Sequence, residues 1–234
     1  MRESALRHRT HAKSTAFTNR DAWRHFNEGV VRRHYMLQSS RLFLCEHCSP
    51  RRKKALSVYE ATDCAIHLNA YYLNLRGTLD NLAWVLQYEW QLLPSVTEDG
   101  GGKQYCYLFG KRFLDTLKSR HAKLASVLEQ YRPWERELAA LRDPAAHRVP
   151  IYVPPAIATS QEQVDEFNRI MAQAEVSPVE QLIEIHLEAQ AAIDFVPFMM
   201  LSTLQGWERR PIHAQVRSDH DKYLTIASAV VEEL

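Results

Sequence analysis

Glycine is scarce in this chain, at 7 of 234 residues. Few positions can therefore take the left-handed backbone that tight hairpin turns need. That argues against a turn-rich sandwich or barrel and favours helices. Cysteine is sparse as well, and four cysteines in a chain of this length do not make a disulfide framework. No window reaches the roughly 18 uninterrupted apolar residues of a membrane helix. The first residues are polar and basic with no apolar run behind them, so no secretory leader and no membrane partner are expected, and the expected location is cytoplasmic. Excess charge is missing too. The net charge of +1 provides no bulk field toward nucleic acid or lipid. There is no phosphate-binding glycine loop, no dinucleotide fingerprint, no H-E-x-x-H and no G-x-S-x-G, which removes the corresponding hydrolase, dehydrogenase, protease and esterase readings.

The charge that is present is unevenly spread. Residues 1–54 carry thirteen arginines and lysines against Glu3, Asp21, Glu28 and Glu46. Such a segment either attracts polyanions or forms the solvated face of a helix. The chain is accordingly divided into a basic N-terminal arm and helix, 1–54, and a helical bundle, 55–234.

Hydrophobic spacing predicts the elements. A first helix spans 20–47 and ends at Ser49-Pro50. Residues 56–92 carry the clearest pattern. Leu68, Tyr71, Tyr72, Leu75, Leu79, Leu82, Ala83, Leu86 and Trp90 recur at i, i+3, i+4 and i+7, which makes one long amphipathic helix the spine of the domain. Gly77 interrupts that helix at a cost of about 1 kcal/mol against Ala, and a close crossing by another helix would explain it. Arg76 and Asp80 have the i, i+4 spacing of an intrahelical ion pair. Residues 94–104 form a flexible loop. Pro133 opens a further helix that Pro144 is expected to stop. Val149 to Pro155, with Pro150, Pro154 and Pro155, must be extended. Ser160 caps a helix to about 175. Ser177-Pro178 opens another to about 204, kinked by Pro197, and 214–233 form the last. The sum is an all-α bundle with a short extended proline-rich segment.

Arg142-Asp143-Pro144-Ala145-Ala146-His147 carries the candidate chemistry. Histidine can move a proton near neutral pH. Arginine can hold the charge that grows on a phosphate. With RNA bound, His147 would take the proton from a ribose 2′-hydroxyl, Arg142 would clamp the phosphate, and Asp143 would orient one of them. The spacing alone carries no weight. With 21 Arg and 11 His, four such pairs occur, and Arg20-Asp21 precedes His25 in the same way. Arg142 and His147 are set apart by their position at a helix end beside a proline-rich segment.

Leu141 to His147 resembles the arginine, polar residue, spacer, histidine signature of the HEPN superfamily. The helix carrying Tyr72-Leu73-Asn74-Leu75-Arg76-Gly77-Thr78-Leu79-Asp80-Asn81-Leu82-Ala83-Trp84 resembles an early core helix of divergent bacterial branches of that superfamily. The resemblance covers about 55–205. It implies a helical bundle that homodimerises and pairs two signatures in one cleft. It also implies a metal-independent endoribonuclease of a toxin or phage-defence type, with RNA as substrate and an antitoxin or operon partner, or else a non-catalytic binding module. Arg142 and His147 would be the catalytic pair, with Asp143 between them. No cofactor is implied.

Cys45, Cys48, Cys64 and His67 form a second set, C-x2-C-x15-C-x2-H. That spacing is compatible with a structural zinc that pins the first helix to the spine. The alternative is that Cys64, on the apolar stripe, behaves as a small hydrophobe.

Overall fold

The structure, a computed structural model, describes residues 17–147, 149–203 and 206–234, with the backbone alone for 144–147. The basic arm before residue 17 lies outside the described residues. The described chain is mostly helical: α1 (Arg20–Arg24), a π-helical turn (His25–Val31), α2 (Arg32–His47), α3 (Val58–Trp90), α4 (Lys111–Arg120), α5 (Ala122–Gln130), α6 (Arg132–His147), α7 (Gln161–Met171), α8 (Leu182–Ala191), β1 (Phe198–Thr203), β2 (Gly206–Pro211) and α9 (Ile212–Glu233). Among the described residues no helix is long and apolar enough to cross a membrane.

The chain divides into two compact units. One holds the residues up to Ser40, Ala70–Arg148 and Val216–Leu234. The other holds Arg41–Asn69 and Val149–Gln215. The 54/55 boundary expected from charge falls inside the second unit.

In the first unit the apolar stripe of α3 is the core, as its spacing requires. Tyr71, Tyr72, Leu75, Leu79, Leu82 and Leu86 are fully buried, each contributing about 1.5–3 kcal/mol through burial. Leu117, Leu128, Leu138 and Tyr223, of α4, α5, α6 and α9, are fully buried as well. One polar device sits inside this core. Asp219 of α9 accepts from Trp134 Nε1 of α6 at 2.9 Å and from Tyr72 Oη of α3 at 3.1 Å. Arg76 links α3 and α6 as well, donating to Glu135 at 2.6 Å, and it also donates to Tyr107 Oη at 2.9 Å. The expected Arg76–Asp80 pair is present at 3.3 Å, but Glu135 is the closer partner. Burial works against the Arg76 charge. Asp80, Tyr107 and Glu135 outweigh it and hold the guanidinium pKa above its ordinary value.

In the second unit α3 begins on a capping box. Ser57 Oγ accepts from the Glu60 amide at 3.2 Å, and Glu60 accepts from the Ser57 amide at 2.7 Å. Arg52 adds a two-pronged ion pair to Glu60, at 2.9 and 3.0 Å. Residues 149–155 are extended, as their prolines demand. Ile151 and Val153 point inward and Tyr152 outward, and Asn69 of α3 exchanges two hydrogen bonds with the Ile151 backbone.

Two sequence expectations are overturned. Pro144 does not stop α6, which continues to His147. A proline forfeits its own N–H and crowds one carbonyl a turn earlier, and here only one further turn lies beyond it. The helix expected from 178 to about 204 ends at Ala191, and Phe198–Thr203 is a strand. Pro197 ends the helical option. Beyond it Met199 and Leu201 are buried while their neighbours are not, a period of two that a strand satisfies. β1 pairs antiparallel with β2, so the fold carries a small sheet that an all-α reading omits. Ser160 does cap α7, accepting from the Gln163 amide at 3.3 Å.

Candidate functional site

The signature residues lie on the last turns of α6. Arg142 Nη1 donates to Asp143 Oδ1 at 2.9 Å, with the two side chains 32% and 52% exposed. Arg142 is thus held by its sequence neighbour and presented to solvent, not locked in a buried pair. Together with Arg76 and Arg33 it also faces Asp80. Burial raises the Asp80 carboxyl pKa, and the three guanidinium groups pull it part of the way back. The His147 side chain lies outside the described residues. The backbone course still matters, because α6 is continuous through 147. Five residues along an α-helix leave two positions about 140° apart around the axis. One chain's helix therefore does not by itself aim positions 142 and 147 at one phosphate.

The other Arg-Asp-x-x-x-His run, Arg20 to His25, reads in sequence as part of a plain amphipathic helix. It leads instead into the π-helical turn, a form enriched at functional sites. His25 is 8% exposed. Its Nδ1 lies 3.0 Å from Asn81 Oδ1 and its Nε2 3.2 Å from Glu98 Oε2. The Asn81 amide nitrogen is committed to the Gly77 carbonyl at 2.7 Å, so its oxygen faces the ring and Nδ1 is the donor. Trp84 and Tyr88 stack near the ring, with centroids at 5.9 and 5.5 Å. With both nitrogens engaged, His25 forms part of the wall of a site.

That site is a polar cleft of about 580 Å³. Arg24, Arg32 and Arg33 supply its cations. Arg24 is neutralised by Glu98 at 2.7 Å, and Arg32 leans on Glu28 at 3.5 Å. Arg33 is different. It is partly buried, and among the described residues its hydrogen bond is to a neutral group, Asn74 Oδ1 at 3.0 Å. Asn74 is oriented in turn by the Ala70 carbonyl at 2.8 Å. The Arg33 guanidinium occupies the space a side chain at Gly77 would need, since a Cβ there would lie 2.6 Å from Arg33 Cζ. The close approach expected at Gly77 is therefore an arginine. Gly29 does the same for Asn81, whose Oδ1 would be 2.2 Å from an added Cβ. Glu98 comes from the loop expected to be flexible. Gln87 fastens that loop, exchanging hydrogen bonds with Leu93 at 2.7 and 2.9 Å and reaching Val96 O at 3.1 Å.

Sequence reasoning missed this cleft, yet a signal was available. In a glycine-poor chain, Gly29 and Gly77 both sit inside helical patterns, and each marks a side chain passing close to a backbone.

Of the cysteine set, the structure brings two members together. Cys48 and Cys64 are both fully buried, and their thiols hydrogen-bond to each other. That contact and burial push the Cys48 pKa far up. The same contact, aided by Arg52, holds Cys64 down. Cys45 is exposed, and His67 stacks on Phe43 at 3.9 Å between ring centroids. Among the described residues no three or more His, Cys, Asp or Glu side chains converge as a metal site.

No protein-family model, curated protein or solved structure matches this chain.

Proposed function

We propose that this chain is a HEPN-like RNA-binding module of the cytoplasm that holds a strand phosphate in the cleft beneath the π-helical turn. One observation carries the reading. Arg33 is a partly buried guanidinium whose described hydrogen bond is to a neutral amide, in a cleft whose other two arginines, Arg24 and Arg32, are already paired with Glu98 and Glu28. A guanidinium has five donors in a planar fork, and a phosphate oxygen pair matches that fork. The basic character of the first helix supports the same ligand class, because it raises the local concentration of a polyanion.

The test is a salt titration of RNA binding by fluorescence anisotropy, comparing the wild-type chain with Arg33→Gln. Each phosphate contact contributes about 0.9 to the slope of log K against log salt on duplex, about 0.7 on single strands. Arg33→Gln is expected to weaken binding about tenfold and lower that slope by one contact. Unchanged affinity and slope would overturn the reading.

A second reading is favoured by the exposed Arg142–Asp143 pair. Here the chain is a metal-independent endoribonuclease acting as a homodimer, restrained by an antitoxin or operon partner. Arg142 from one copy and His147 from the other then share a cleft, which answers the divergence of the two positions along one helix. Cleavage of RNA in the presence of a chelator, abolished in His147→Ala, would establish it. No cleavage by the purified chain would remove it.

A further inference from the structure

A second ligand surface stands in the other unit, on the small sheet. Tyr152 bridges Met200 by two backbone hydrogen bonds, of 3.1 and 2.8 Å. Met200 is in turn directly opposite Arg209. Directly opposed residues project from the same face, and so do residues two apart along a strand. The row Tyr152, Met200, Arg209 therefore shares one face with Trp207, Phe198 and Ser202. The opposite face is buried along β1. Met199 and Leu201 are buried there, and Arg210 is neutralised by Glu208 at 2.7 Å.

The open face has an unusual composition. Trp207 is 59% exposed and Tyr152 49% exposed, although large aromatics normally bury their rings. Neither strand places an acidic residue on it. Its single charge, Arg209, is exposed and makes no ion pair among the described residues. Pro154, Ala156 and Ile157 wall it on one side, leaving a hollow of about 390 Å³ between the two aromatic rings and the arginine. The row from Tyr152 to Arg209 spans two strand spacings, about 10 Å.

We propose that this face is a stacking platform for single-stranded RNA, with bases laid on Trp207 and Tyr152 and a phosphate on Arg209. Flat exposed rings suit any base, because every base has a π-face. A cation with no acid on its own face selects a polyanion over a neutral or basic partner. The choice of RNA over DNA rests on the RNA-binding function already proposed. The platform itself rests on residues that the cleft does not use.

The experiment is an anisotropy titration of the full chain with a short labelled oligoribonucleotide, against the same sequence in DNA and as duplex RNA. Trp207→Ala and Tyr152→Ala are each expected to weaken single-strand binding at least about fivefold, the lower end for loss of one base–aromatic stack. Trp207→Phe keeps a ring and should restore most of it. Arg209→Gln should flatten the salt dependence. These side chains are exposed, so the thermal transition should stay in place, and a melt of each variant checks that. Wild-type affinity in Trp207→Ala and Arg209→Gln overturns the proposal. So does equal loss in Trp207→Phe and Trp207→Ala, duplex binding as tight as single-strand binding, or binding of a proline-rich peptide in place of RNA. Single-stranded DNA bound as tightly as RNA overturns the choice of RNA. Loss in Trp207→Ala with none in Arg33→Gln leaves the platform standing and removes the cleft, and the converse removes the platform.

Discussion

Gly77→Ala separates stability from ligand binding. The added methyl would sit 2.6 Å from the Arg33 guanidinium carbon, so one of the two must move. The obstacle is the far end of a long side chain, and it can withdraw toward solvent. Withdrawal breaks the 3.0 Å bond to Asn74, a bond from a charged group that is worth about 1.5 kcal/mol net. In return, Ala at an interior helical position is favoured over Gly by about 1 kcal/mol. The two effects nearly cancel, and stability should change by less than about 1 kcal/mol. Binding should not be spared, since the guanidinium no longer reaches the phosphate position. Urea denaturation gives the first quantity, through the midpoint at constant slope. RNA anisotropy at two salt concentrations gives the second, with affinity and salt dependence falling to the level of Arg33→Gln. A loss of more than about 2 kcal/mol with RNA affinity intact would refute the reasoning, because an overpacked site that cannot relax costs that much. It would mean that Arg33 is structurally fixed and has no part in binding.

Gly29→Ala should behave differently. The atoms in its way, Asn81 Oδ1 and Cγ, are close to a backbone and already committed to His25 and Gly77. A cost of about 2 kcal/mol is expected by denaturation, as for other overpacked sites, and a near-neutral result would show that the Asn81–His25 contact is dispensable. Trp134→Phe removes a donor from the buried Asp219 carboxylate and should cost about 1–3 kcal/mol, measured as a fall in Tm. Glu60→Gln tests the α3 capping box through pH. Arg52 and the Ser57 amide lower the Glu60 pKa from 4.5 to about 2. A depressed folded-state pKa means the stabilisation is full above 4.5 and is lost as pH falls toward 2. Because Glu60 is 38% exposed, solvent screening reduces the effect to about 1 kcal/mol. The variant should therefore be less stable than wild type at neutral pH and indistinguishable near pH 2, and a gap that persists in acid would sink the assignment.

Much of the fold was legible because it obeys local rules. The α3 stripe is buried residue for residue from Leu68 through Leu86. The Ser160 cap and the extended 149–155 segment arise from side-chain chemistry and from prolines. The two misread segments, 144–147 and 198–203, lie beside prolines, where a sequence marks a disturbance but not its outcome. Pro144 costs its helix one hydrogen bond and is tolerated. Pro197 ends the helical option for a stretch whose alternation then suits a strand. Of the candidate sites, the Arg142–Asp143 pair was readable as neighbours in sequence. The cleft was not, since Arg33, Asn74, Asn81 and Glu98 come from three segments. Neither was the sheet face, because strand register alone puts Tyr152 and Arg209 on either side of Met200.

By itself the sequence determined the helical class, the long spine and the absence of several common catalytic fingerprints, because periodicity and scarcity of glycine act within a few residues of one another. Only the tertiary structure decided that the Arg20 to His25 run leads into a cleft, and that an arginine fills the space left by Gly77. Those outcomes depend on contacts between residues 41 to 56 apart along the chain. Their free energy comes from packing and desolvation that no local pattern encodes.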